Sequence, residues 1–214
     1  MKTMPISVQH SIAGFYHRDA RDFASRFDTL WEDQLHKTGR IKSFVDLIMG
    51  CECALKSHVF LSRLDEIPDE TYKLVRRAGH NSENLSALAT FLEDRSLYER
   101  AGSKLAPFSV IVRYSLDAYS TFFPALSDWA DAPINHAATV GNNSWVLGVR
   151  ADLQDLIDSC SAEFTGLVSN DVGAIFQNEQ ELENFMRRVA PGNSFRSKQI
   201  RRGDTGSSGR RSHE

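Results

Sequence analysis

Three short stretches carry side chains whose types and spacing could do chemistry together. They are Glu52-Cys53-Ala54-Leu55-Lys56, then Gly79-His80-Asn81-Ser82-Glu83-Asn84-Leu85, then Arg113-Tyr114 followed by Ser115, Leu116 and Asp117. Glu52 and Lys56 are four apart with the acid first, the order that favours an ion pair along a helix. Both border an apolar stripe, so at least one carbon stem lies on the core boundary. They either line a ligand pocket or form a boundary ion pair. His80 follows a glycine where one helix stops and another begins. An imidazole there either bonds the backbone at the break or serves as a general base or phosphate contact. Arg113 and Tyr114 can hold a phosphate and stack a base, or lock an irregular segment onto the fold. The ligand-binding candidates are thus Glu52, Lys56, His80, Asn81, Arg113 and Tyr114.

Other chemistries find little support. Cys51, Cys53 and Cys160 are odd in number, and the first two sit two apart on a helix, so neither a disulfide framework nor a zinc site is expected. His10 and His17, near Asp19 and Asp22, lack metal-ligand spacing, and no metal or cofactor is expected. No glycine-rich phosphate loop follows a strand, and no Gly-x-Ser-x-Gly elbow appears. Lys73, Arg76 and Arg77 form a small basic patch, ordinarily a solvated face.

Helices must position these residues. Apolar residues at spacings of three and four run from Ser11 to about Lys37, with Gly39 as the expected C-terminal cap, and again from Arg40 to Leu64. Pro68 marks a third helix start. Asn81 or Ser82 caps a further helix through Leu85, Leu88, Ala89 and Leu92. Leu97 to Ser103 reads as a connector, and 107–114, rich in β-branched and aromatic residues, as an extended or irregular stretch. Asp131 to Asn143 reads as a loop. Helices over about Ser144–Val168 and Asp171–Val189 follow. The sum is an all-α antiparallel helical bundle of about six helices, one domain over residues 1–190.

The chain has 214 residues and a net charge of −3. From Pro191 to Glu214 there are six basic and two acidic residues, so this basic tail carries +4 and the rest of the chain −7. An acidic body argues against duplex binding, and the tail's Gly, Ser and Arg content reads as disordered. No apolar run reaches the length of a membrane span and no signal peptide is read, so a cytoplasmic protein is expected.

In order and spacing, Glu52 to Lys56, Gly79 to Leu85 and Arg113-Tyr114 resemble the motifs of the HEPN family, the helical "higher eukaryote and prokaryote nucleotide-binding" domains. The resemblance spans roughly residues 11–168. It implies a four- to five-helix antiparallel bundle, a homodimer, and one of several activities. These include nucleotide or RNA binding, partnership with a nucleotidyltransferase-type protein, and metal-independent RNA cleavage in toxin–antitoxin or phage-defence systems. The family's ribonucleases carry an arginine, then four to six intervening residues, then the histidine. Here three residues separate Arg76 from His80 and two separate Arg77 from it, and neither His136 nor His213 has an arginine at the required separation. The departure favours a binding or partner module. The alternatives are a ribonuclease, with His80 as base and Arg113 or Arg77 stabilising the phosphorane, and a helical scaffold with no ligand.

Overall fold

The computed structural model describes residues 3–33, 36–123, 134–167 and 169–189. The basic tail and the first part of the Asp131–Asn143 loop lie outside these. Among the described residues there are eight α-helices: α1 (Val8–Trp31), α2 (Lys37–Leu61), α3 (Pro68–Ala78), α4 (Ser82–Leu88), α5 (Ser96–Leu105), α6 (Ser115–Phe122), α7 (Asn143–Ser161) and α8 (Val172–Val189). The one β feature among them is an isolated parallel bridge between Thr3 and Leu167. None of these helices is long and apolar enough to cross a membrane.

α2 is the centre of the bundle. From Ile41 to Leu61 nearly every residue is buried, as expected of a helix with apolar residues on all faces. Its close neighbours are α1 and α7. Arg26 pairs with Asp46 at 3.3 Å and Ser57 donates to Ala13 O at 2.9 Å, so α1 and α2 run antiparallel. Asp28 pairs with Arg150 and His17 meets Cys160, so α1 and α7 are antiparallel too. α2 and α7 therefore run parallel, with Phe44 beside Trp145 and His58 bonded to Leu156 O. The intervening helices return the chain to the end where α2 began. α2 and α7 approach closely at Gly50, where a Cβ would lie 2.7 Å from Leu153 Cδ2.

Several boundaries differ from the sequence reading. α1 ends at Trp31 because Glu32 and Asp33 follow, and acids oppose the negative end of a helix dipole. Gly39 is then not a cap but sits in the first turn of α2. α4 stops at Leu88, short of Leu92. The expected connector at Leu97–Ser103 is inside α5, whose buried face of Tyr98, Ala101, Gly102 and Leu105 keeps helical spacing. The irregular 107–114 stretch contains a 3-10 turn, Val110–Arg113, framed by extended backbone at Ser109 and Tyr114. α7 ends at Ser161, where a 3-10 turn swings Phe164 back to stack on His17 at 4.7 Å. Pro68 opens α3, and Asn81 caps α4 by accepting from Asn84 N at 2.8 Å, both as read.

Candidate functional site

Glu52 lies in the middle of α2 and is 0 % exposed, deeper than the boundary position expected for it. A carboxylate there needs partners, because transfer of an unpaired charge from water costs several kcal/mol. Two are present. Lys56, one turn on, places Nζ 3.5 Å from Glu52 Oε2. His80 reaches in from the α3–α4 turn and donates from Nδ1 to the same oxygen at 2.8 Å. The His80 side chain is 58 % exposed, and Lys56 13 %. The carboxylate can only accept, so Nδ1 carries the proton and Nε2 is the nitrogen left for a ligand.

The turn that delivers His80 depends on Gly79. It closes α3 by donating to Val75 O at 3.1 Å with φ 61° and ψ −125°, a conformation costly for any residue with a Cβ. The α3 helix ahead of it is anchored by Val75 and Ala78 in the core, and α4 behind it by Leu85. Asn81 uses its side-chain oxygen in the α4 cap, which gives it a structural role whatever else its exposed amide meets.

Neighbouring groups complete the surroundings. Lys56 Nζ stands 5.8 Å over the ring of Tyr16, a residue of α1 that the sequence reading passed over. Burial, with help from Tyr72, Cys53 and Asp19, pushes the Tyr16 phenol up to about 12. Burial likewise pushes the Cys53 thiol up to about 12, against the pull of Lys56, so it is no nucleophile. Arg76, exposed on α3, lies 5.9 Å over the Tyr72 ring. Tyr16 was legible in principle: it stands three and four residues from the buried Ala13 and Ala20 on one helix face. Two atoms stay unsatisfied here: Glu52 Oε1 and Ser82 Oγ are buried with no hydrogen-bond partner among the described residues.

Arg113 and Tyr114 do not join this cluster. Arg113 donates to the Tyr114 hydroxyl at 2.8 Å and stacks on its ring at 4.8 Å. The segment is held at the other part of α2, where Phe108 meets Phe44 at 5.0 Å. Phe44 is eight residues before Glu52, an axial offset of about 12 Å at 1.5 Å per residue. Both side chains of the pair are exposed and touch each other, so it is Phe108 and the buried Val112, not Arg113 or Tyr114, that hold the segment on the bundle. Among the described residues no arginine is bonded to His80, and no group of three or more His, Cys, Asp or Glu could hold a metal.

Two buried polar clusters were not anticipated. His58, 0 % exposed, pairs Nδ1 with the Tyr98 hydroxyl at 2.7 Å and Nε2 with Leu156 O at 2.9 Å. Asp152 of α7 accepts from Arg100 at 3.1 Å and from Lys104 at 2.5 Å, tying α5 to α7. Both serve packing. Three clefts of about 330, 350 and 450 Å3 are lined by other residues than Glu52, Lys56 and His80. No protein-family model, curated protein or solved structure matches this chain.

Proposed function

We propose that Glu52, Lys56 and His80 form a polar site of a HEPN-like module that binds a nucleotide or RNA at the exposed imidazole edge. The observation that carries the reading is the 2.8 Å bond from His80 Nδ1 to a fully buried carboxylate. A buried acid that fixes one face of an otherwise exposed ring prepares the opposite nitrogen for contact with a phosphate or hydroxyl. Arg76 and Arg77 put two cations in the last turn of the helix that leads into the His80 turn. The motif resemblance agrees with this assignment for Glu52, Lys56 and His80. Arg113 and Tyr114 take no part in it.

A second reading, metal-independent RNA cleavage, is favoured by the same bond. An imidazole with a carboxylate on Nδ1 and a free Nε2 is arranged as a general base. Among the described residues no arginine is bonded to it to offset charge on a phosphorane, which is why binding leads.

The experiment is a filter-binding and cleavage series with end-labelled single-stranded and structured RNAs, with ATP as competitor, in EDTA. Wild type is compared with His80→Ala and Glu52→Gln. Binding without cuts, weakened about tenfold in both variants (~1.4 kcal/mol), is the expected result. Cuts that vanish in His80→Ala would replace the binding reading by the ribonuclease. Equal binding by all three proteins would remove the site altogether.

A further inference from the structure

A cleft of about 330 Å3 opens between the start of α1, the α2–α3 connection and α8. Gln9, in the first turn of α1, lines it and is 1 % exposed. Its Nε2 donates to Glu66 O at 3.1 Å and to Thr71 Oγ1 at 2.9 Å. A backbone carbonyl only accepts, so the amide has one orientation. Its Oε1 is then buried with no hydrogen-bond partner among the described residues.

The opposite wall repeats the pattern. Ser11 directs its hydroxyl proton to Ser7 O at 3.1 Å, so Asn178 of α8 must donate from Nδ2 to Ser11 Oγ, also 3.1 Å. Asn178 Oδ1 is left buried and without a partner among the described residues. Both residues line this cleft, and each keeps one acceptor oxygen without a donor among the described residues. Among the described residues its charged lining is Glu66 and Glu181, with no Lys, Arg or His. Glu66 stands 3.7 Å from Arg63, and Glu181 accepts from Gln177 at 2.8 Å. Leu64, Pro68 and Ala174 supply the apolar wall. Buried acceptors lacking donors, beside carboxylates, call for a ligand that brings donors and positive charge.

We infer that this cleft binds a small aliphatic amine or guanidine. The cationic head donates to Gln9 Oε1 and Asn178 Oδ1 near the two glutamates, and the carbon stem lies along Leu64, Pro68 and Ala174. The volume is at the small end of ligand sites, which suits a stem of a few carbons. α8 is held elsewhere by Phe185 on Tyr72 and by Arg188 on Asp69. Ligand at Asn178 thus secures the first half of α8, where Val172 and Phe176 are exposed.

The test titrates the full chain with butylguanidine and butylamine at fixed ionic strength, with butyrate and butanol as controls. Calorimetry reads affinity, and amide exchange reads α8. Saturable binding of a cation, slowed exchange in α8 and no binding of butyrate are expected. Asn178→Asp should tighten it and Glu181→Gln should weaken it, each severalfold, while Asn178→Leu should abolish it. Circular dichroism confirms that each variant is folded. If neither cation saturates, or all variants bind alike, solvent satisfies the two oxygens and the inference is overturned. The outcome is independent of the His80 site, whose residues are not in this cleft.

Discussion

Acid should destabilise this bundle through one buried imidazole. His58 is fully enclosed between α2, α5 and α7. Leu156 O can only accept, so Nε2 carries the proton. Nδ1 then accepts from the Tyr98 hydroxyl, whose oxygen in turn accepts from Leu92 N at 3.0 Å. The neutral ring satisfies every partner, and a second proton on Nδ1 would face a hydroxyl already donating to it. Burial, with a smaller push from His17 and opposed by the Leu156 carbonyl, lowers the group from 6.5 to about 4. The unfolded chain binds a proton between those values and the folded chain does not. Stability is therefore complete above about pH 6.5 and falls as pH drops towards 4, at up to about 1.4 kcal/mol per pH unit. From pH 7.5 to 4.5 the loss assigned to His58 is about 2.5 kcal/mol. Urea unfolding of wild type and His58→Gln across this range isolates it, because His17, His136, Asp19 and Asp46 titrate in both proteins. The variant should be less stable at pH 7.5 by about 1–3 kcal/mol, since a buried partner is left unpaired. That gap should close or reverse by pH 4.5. Parallel stability curves for the two proteins would refute the account.

Further outcomes can be checked directly. Gly79→Ala should destabilise the turn that presents His80 by about 1–2 kcal/mol, seen as a lower urea midpoint together with weaker RNA binding. Gly50→Ala should cost about 1–3 kcal/mol, because its Cβ would lie 2.7 Å from Leu153, a side chain with 0 % exposure; an unchanged melting temperature would show that α2 and α7 can part freely. The three thiols are buried and their acidity is suppressed, Cys53 and Cys160 up to about 12 and Cys51 higher still. A disulfide reagent at pH 8 should therefore react slowly with the native protein, and with all three cysteines in denaturant.

Local signals were dependable where the chemistry is local. Pro68 at a helix start, Asn81 as a cap and the apolar repeat of α2 act within a turn or two of chain, so spacing alone reveals them. α5 was equally legible, since Tyr98, Ala101, Gly102 and Leu105 hold the helical period. Gly102 disguised it, although that glycine is there to let α5 approach Ser86, where a Cβ would meet Oγ at 2.6 Å. The α1 boundary was harder, because the apolar repeat continues past the acids that end the helix.

The sequence by itself determined the helical class and the residue types able to form a carboxylate–imidazole–ammonium group. Helix period and caps are written in neighbours, and Glu52 and Lys56 share a face by their spacing. Tertiary structure alone decided that His80 crosses from the α3–α4 turn to Glu52, and that Glu52 is buried. It also decided that Arg113 stays with Tyr114, about two turns of α2 away from Glu52. Distances between segments far apart in the chain depend on how whole helices pack, and α2 running parallel to α7 is a property of the folded bundle that no local spacing encodes.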